Sequence, residues 1–541
     1  MRRKAGLLAG TFITTFTGSA RRAGATSTLP QFGAIQGRWR TDTIAPVADG
    51  TSITSWTDSI NGRVITPGGV AGTYKNNSGY GGKPSINFNG TTQYYTGSTP
   101  EVTTAFTSGE YTIMAVYGNA LATTYGFIAS AGTAIGVNLV NNGTYMGGSY
   151  SGNNGSGFPA TSGFNTALCA HSTSYLSGQK VNHYAANGSV YQTLAGTTPG
   201  AAATQLYVGG YNTTVAYKGD LMEIIVWNRK LTLAEQVQAE RVLRDYYGQT
   251  YPWATTGYYT CFQGDSITNG YGLSGFPAKT WPFLVSQNLG LKAWSNLGWI
   301  GATPQIDLTI AQSENVAGIS AITGVLTKHT YWEFYNAKGV STNPFISSAC
   351  YTATVAMLQY LKGTPGDKVM FGTTVDYANR GVEKGYMTAY WDGAVTPNGT
   401  AGATLSGLID YYVPLHLNSI IGVNSACNNT SPYGAAFNNV INTVSFTGSV
   451  TSSQLVLGTA SPIVVGSNLR YAGYSPSSQI KIGAYQSGGT GAGTVGAIYA
   501  LGGTPPVTLS SQSMNGDSGD GIHMSDYGAT VMATLWPIAS L

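Results

Sequence analysis

From about residue 31 to 252 the chain is a succession of short β-prone runs, such as residues 111–117 and 205–209, separated by clusters of Gly, Asn and Ser. That rhythm predicts an all-β sandwich. Thr232 and Glu235 then stand at capping-box spacing ahead of an apolar-periodic stretch, which predicts one closing helix. After residue 252 the pattern changes. Residues 258–262 read as a buried strand, 353–361 as a helix, 368–375 and 419–423 as further strands, and 527–535 as a final helix. Alternation of this kind predicts a parallel sheet covered on both faces. Between about 437 and 514 it is interrupted by Gly/Ser/Thr-rich short strands, including 454–457 and 480–482, which predicts an inserted β module.

The expected organisation is therefore multidomain: a signal-like or anchoring segment at 1–30, a β sandwich at 31–252, an α/β domain built from 253–436 and 515–541, and the β module at 437–514. A length of 541 residues suits two or three cores rather than one. In the first segment Arg2-Arg3-Lys4, the apolar residues 5–16 and Gly18-Ser19-Ala20 follow the order of a secretory signal, and the apolar part is too short to span a membrane.

Only 9% of residues are charged and 74 are Gly, the profile of Gly-punctuated β structure with a weakly charged surface. The net charge of +4 is spread thinly, with no basic run after residue 40, so nucleic acid is not an expected partner. Cys169, Cys261, Cys350 and Cys427 lie far apart and show no metal-ligand spacing with the five histidines. They read mostly as buried thiols, and no metal or cofactor is expected. The Gly-rich tract at 487–494 lacks the Gly-Lys-Ser/Thr ending of a phosphate loop.

Candidate chemistry begins where the first α/β strand ends, at Gly264-Asp265-Ser266-Ile267-Thr268. A serine between a buried strand and a helix has its hydroxyl at the carboxyl edge of the sheet, where backbone N–H groups can hold an oxyanion. Near the C-terminus, Asp520 and His523 stand three apart just before the predicted last helix. One loop can then present both: His523 as the base that a serine hydroxyl needs, Asp520 as the group that orients the imidazole. The remaining histidines, His171, His183, His329 and His416, read as structural or exposed.

These blocks resemble the SGNH (GDSL-like) hydrolases, a family of serine esterases with a three-layer, flavodoxin-like α/β fold. The resemblance implies Ser266, Asp520 and His523 as catalytic residues. It also implies an oxyanion hole made by the Ser266 N–H, the Gly301 N–H from the block Asn296-Leu-Gly298-Trp-Ile-Gly301-Ala-Thr303, and the amide of Asn336. The third block departs from the family pattern: an aromatic, Phe334, replaces the usual Gly and Ala337 the usual Asp.

Trp39, Asp49-Gly50, Trp56-Thr-Asp58, residues 84–90, and the run from Gly219 through Trp227-Asn-Arg229 to Leu231-Thr-Leu-Ala-Glu235 resemble concanavalin A-like, laminin-G-like jelly rolls. Many such domains bind sugars and others serve as spacers or trimer-forming modules. The insert, with its Gly-rich tract and Tyr499, resembles small β modules of phage tail proteins. Together these resemblances imply a virion (tail fibre or spike) or extracellular esterase that removes O-acetyl groups from a cell-surface polysaccharide. Its implied partners are a glycan ester, virion or tail proteins through the N-terminal segment, and further copies of itself in a homo-oligomer. Two alternatives stay open: a non-catalytic virion receptor-binding protein that uses the hydrolase fold as a glycan-binding platform, and a secreted bacterial esterase or lipase.

Overall fold

In the computed structural model the described residues are 28–98, 205–210, 216–273 and 278–336, the strands and helices named below, and positions 102, 104, 110, 367, 526, 529, 530 and 533. Residues 1–27, and with them the basic and apolar part of the signal-like segment, lie outside that set. Leu29 and Pro30 are packed down: Leu29 is buried, and Trp227 Nε1 donates to the Pro30 carbonyl at 3.1 Å.

The first part of the chain forms β1 (Ile35–Arg40), β2 (Trp56–Thr57), β3 (Val64–Pro67), β4 (Thr73–Lys75), β5 (Ser85–Asn89), β6 (Tyr95–Gly97), β7 (Tyr111–Gly118) and β8 (Tyr125–Ser130). There follow β9 (Ile135–Val140), β10 (Tyr145–Tyr150), β11 (Asn153–Asn154), β12 (Phe158–Pro159), β13 (Leu168–Leu176), β14 (Gln179–Ala186), β15 (Ser189–Ala195), β16 (Leu206–Val208) and β17 (Lys218–Trp227). One sheet runs β15-β14-β13-β7-β17-β5-β4, with β1 also on β17; the other runs β11-β10-β9-β8-β16-β6-β3-β2, with β12 on β10.

The period-2 side-chain alternation of a strand explains why β7 is buried along its whole length. Tyr111, Ile113, Ala115 and Tyr117 enter a core shared with Trp39, Trp56, Phe88, Tyr95 and Val208, the layer between the two sheets. Met114 and Val116 enter a second core on the opposite face, with Trp227, Leu233, Val237 and Leu243. Full burial of a side chain of this size stabilises by about 1.5–3 kcal/mol. The expected closing helix is α1 (Leu233–Tyr246). Glu235 N donates to Thr232 Oγ1 at 3.1 Å and Thr232 N to Glu235 Oε2 at 2.8 Å, so the capping box is complete.

Next come α2 (Pro252–Thr256), β18 (Tyr258–Gly264), α3 (Ser266–Asn269), α4 (Trp281–Asn288), β19 (Trp294–Asn296), α5 (Pro304–Ser313), α6 (Ile319–Thr323), β20 (Leu326–Asn336), α7 (Ala349–Lys362), β21 (Lys368–Asp376) and β22 (Gly385–Trp391). Four strands are parallel in the order β19-β18-β20-β21, and β22 adds antiparallel to the edge. This is the doubly wound order, in which the chain starts in the middle and later moves to the other side. Tyr259 and Cys261 of β18 pack with residues of α5, α6 and α7. Phe262 turns the other way, to Trp281 of α4 (ring centroids 5.3 Å) and Trp294 (6.2 Å). Helices therefore cover both faces, as the alternation predicts.

The expected β module is a closed barrel of β23 (Thr443–Thr451), β24 (Gln454–Leu457), β25 (Asn468–Arg470), β26 (Gln479–Tyr485), β27 (Gly493–Leu501) and β28 (Thr508–Met514), in the order β23-β24-β27-β26-β25-β28. Closure leaves no open strand edge. The expected strand at 419–423 lies outside the described residues. Of the expected last helix, positions 529, 530 and 533 are helical, as is Asp526 just before it, and Thr530 Oγ1 donates to the Asp526 carbonyl at 2.9 Å.

Among the described residues, the sandwich and the α/β part share one core cluster, a strand ladder and a buried charge cluster. β15 pairs parallel with β19 (Ser189↔Trp294, Val190↔Ser295, Tyr191↔Asn296), so one ladder runs through both. Beside it, the buried Glu314 carboxylate pairs with Lys230 Nζ, accepts from Leu233 N at 2.7 Å and lies 3.7 Å from Nε2 of the buried His183. No helix among the described residues is long and apolar enough to cross a membrane.

Candidate active site

β18 is buried from its second residue onward and ends at Gly264. Asp265 has extended backbone angles and its Oδ1 accepts from Ile267 N at 2.8 Å, an N-cap that starts α3 with Ser266 as its first helical residue. Ser266 is buried, 8% exposed. It stands at the carboxyl end of β18, beside β20, where the doubly wound order changes direction and α/β proteins place ligands.

The loop from β19 to α5 is fastened over this strand end. Leu297 N donates to the Phe262 carbonyl at 2.9 Å and Trp299 N to the Gly264 carbonyl at 2.8 Å. Asn296 Nδ2 donates to the Thr268 carbonyl at 2.9 Å, while its Oδ1 accepts from Gly298 N at 3.0 Å. Asn269 Nδ2 donates to the Gly298 carbonyl at 2.9 Å. Gly298 has to be glycine: a Cβ there would lie 2.3 Å from Asn269 N and 2.7 Å from the Thr268 carbonyl carbon. Two polar side-chain contacts and one backbone approach thus lock α3 to the loop that carries Gly301.

Gly301 is exposed in that loop, with φ +75 and open space where a Cβ would stand. Ala302 N closes the turn onto the Trp299 carbonyl at 3.1 Å. Asn336 is the last residue of β20. Gly264 pairs with Trp332, so Asn336 stands four residues further along β20, about 13 Å of extended strand. Asp520 and His523 lie outside the described residues.

Three residues past His523, Asp526 pairs with Lys279 at 2.7 Å, and Asn288 Nδ2 at the end of α4 donates to the Ala533 carbonyl at 3.4 Å. Lys279 precedes Thr280, the N-cap of α4, whose Cγ2 stands 2.3 Å from where a Cβ on Gly270 would be. Gly270 caps the other end of α3 with φ +94 and donates to the Ser266 carbonyl at 2.9 Å.

Sequence reasoning passed over Asn269, Asn296 and Gly298 as the residues that hold the serine turn in place. The block containing Asn296 and Gly298 was visible; its packing against α3 was not, because nothing in the spelling distinguishes a turn glycine from one pressed against another backbone. Cys261 is a free, fully buried thiol, as expected of it; the other three cysteine side chains lie outside the described set. His183 and His329 are wholly buried, in line with a structural role. Among the described residues no group of His, Cys, Asp and Glu could hold a metal ion.

No family model and no curated protein matches the chain. Among solved structures it is similar to a Trypanosoma rangeli sialidase at 16% identity and TM-score 0.26, over 41% of this chain and 34% of the sialidase. It is also similar to domain 4 of an extracellular GH43 arabinanase from Geobacillus stearothermophilus in complex with arabinotriose, at 14% identity and TM-score 0.26, over 37% of this chain and 94% of that domain. A third is the binding domain of botulinum neurotoxin DC in complex with rat synaptotagmin II, at 8% identity and TM-score 0.28, over 41% and 52%. The chain spans about a third of the sialidase, and likenesses of this size carry no argument about the reaction.

Proposed function

We propose that the chain is a serine ester hydrolase acting on O-acetyl groups of a cell-surface polysaccharide, at a virion surface or outside the cell. One observation carries the reading: Ser266 opens a capped one-turn helix at the carboxyl end of β18, at the switch point of a doubly wound sheet, with a glycine loop fastened across it. The fastening of Asp526 beside Lys279, one residue before the helix cap that packs on Gly270, supports it further. It ties the chain just past His523 to the surroundings of α3.

In the proposed reaction Ser266 Oγ attacks the ester carbonyl carbon while His523 takes its proton. Asp520 holds the imidazole in the required tautomer and stabilises the imidazolium. The tetrahedral oxyanion is held by the Ser266 and Gly301 N–H groups; a share for Asn336 requires the end of β20 to turn back over the serine. Each such donor is worth about 3 kcal/mol of barrier. His523 then protonates the departing sugar hydroxyl, the C–O bond breaks, and water activated by the same imidazole releases acetate from the acyl-serine.

The test is p-nitrophenol release from p-nitrophenyl acetate, followed by acetate release from acetylated glycans, by the wild-type chain and by Ser266→Ala. Loss of about 10³-fold or more in the variant is expected. A well-folded wild-type chain without serine-dependent turnover would reject the esterase in favour of a glycan-binding platform.

A further inference from the structure

The segment from Trp294 to Glu314 carries the loop of Gly301, and the sandwich holds it at both ends. At its start, β19 lies between β18 and β15 and pairs parallel with each: Ser295 stands opposite Cys261 on one side and Val190 on the other. Trp294, Ser295 and Asn296 are all buried there. At its end, the Glu314 N–H caps α5 by donating to the Ile310 carbonyl at 2.9 Å. The other polar atoms of Glu314 go to the sandwich and its closing helix. The carbonyl accepts from Ala234 N at 3.2 Å and Oε2 accepts from Leu233 N at 2.7 Å. Oε1 pairs with Lys230 Nζ and lies 3.7 Å from Nε2 of His183.

Leu233 and Ala234 open α1, where backbone N–H groups have no partner inside the helix. A buried carboxylate at a helix N-terminus beside an ammonium is held by charge and by hydrogen bonds together. Glu314 is therefore a fixed point of the interface. Between the two anchors the segment has little slack. Asn296 runs straight into the loop, whose Leu297 and Trp299 N–H groups are bound to the end of β18. The buried Trp299 packs with Ile310 of α5, and Ala302 and Ile306 pack against them. The ten residues of α5 span about 15 Å. A shift at Glu314 is carried along that rod to Trp299 and the turn containing Gly301.

We infer that the sandwich positions the oxyanion loop of the α/β part: Glu314 and the β15–β19 ladder clamp the segment 294–314 at its two ends, which makes Glu314 a positioning residue for Gly301. The kinetic consequence rests on the esterase reading of the site, whereas the clamp itself does not. A loop donor acts on the charge that develops in the transition state, so slackness in the loop is read in kcat more than in KM.

Full chains carrying Glu314→Ala, or the milder Glu314→Gln that keeps an acceptor for Leu233 N, are compared with Ile86→Ala. The last opens a cavity in the separate core between the two sheets. All are assayed on p-nitrophenyl acetate well below their Tm. Glu314→Ala is expected to lower kcat about tenfold with KM within about twofold, Glu314→Gln to fall between it and the parent, and Ile86→Ala to keep the parental kcat. Hydrogen exchange read by mass spectrometry on peptides covering 297–303 should be about tenfold faster in Glu314→Ala than in Ile86→Ala. In an active chain, a parental kcat in Glu314→Ala or a loss confined to KM overturns the clamp. An equal loss in Ile86→Ala overturns it too, because the effect is then one of general stability. In a chain without Ser266-dependent turnover, faster exchange at 297–303 in Glu314→Ala keeps the clamp and rejects the esterase, and parental exchange rejects both.

Discussion

Replacing Gly298 by alanine puts one methyl group into the contact that holds the serine turn. The three nearest atoms it meets are the Asn269 nitrogen at 2.3 Å, the Thr268 carbonyl carbon at 2.7 Å and the Asn269 Cα at 2.8 Å. All three are backbone, so no rotamer change relieves the clash. Ordinary contact begins at 3.4 Å, which means α3 and the loop must separate by 3.4 minus 2.3, or 1.1 Å. Overpacking of this kind costs about 1–3 kcal/mol. A loss near 2 kcal/mol lowers Tm by about 4–8 °C for a unit of 150–250 residues. The same separation moves Ser266 away from the Gly301 loop, and a displacement of about 1 Å at a reacting group costs on the order of 100-fold in rate. Thermal unfolding and kcat/KM on p-nitrophenyl acetate read the two effects separately. A Gly298→Ala chain with parental Tm and activity within twofold of wild type would refute the proposed tightness of this contact and its hold on the serine.

Glu314→Ala would leave the buried Lys230 ammonium and His183 without their carboxylate, and the Leu233 N–H without an acceptor, for a loss of about 3–5 kcal/mol in chemical denaturation. Burial pushes the Glu314 carboxyl up, but Lys230, His183 and the Leu233 N–H outweigh it and hold it below the ordinary range. A depressed folded value means its stabilisation is complete above the unfolded pKa of about 4.3 and is lost as pH falls through the lower folded value. Between pH 6 and 3 the wild-type Tm should therefore drop more steeply than that of Glu314→Gln; parallel curves would remove the carboxylate from the account. Burial pushes the Cys261 thiol far above its ordinary range, so it should resist iodoacetamide in the native chain and react only on unfolding. Mass spectrometry of the labelled peptide decides it, and rapid native labelling at Cys261 would contradict the packing.

What the sequence disclosed about this fold was local. Thr232 and Glu235 cap α1 because a capping box needs only four consecutive residues, and residues 258–262 form β18 because an apolar β-prone run ahead of a helix start has few other uses. The serine turn was legible for the same reason: Asp265 and Ser266 stand between a strand and a helix that both announce themselves. The pairing of β15 with β19 joins residues about a hundred positions apart through backbone groups, which carry no residue signature. Glu314 looked like any polar residue after a helix, and only the meeting of Lys230, His183 and Leu233 N around it shows that it is buried. Asn336 was placed by motif alone, and the β20 register that sets its height above Gly264 depends on pairing that a single strand cannot reveal.

The ladder between β15 and β19 also bears on how such a chain can be rearranged. Among the described strands, each of these is the outermost of its own half, and its free flank is paired by the other. A gene cut near residue 252 would release two fragments, each with a raw strand flank. Bare flanks of this sort invite pairing with a stranger. Shuffling either half into a new context thus demands a replacement strand as well as a linker, a constraint that favours inheritance of the two halves as a pair.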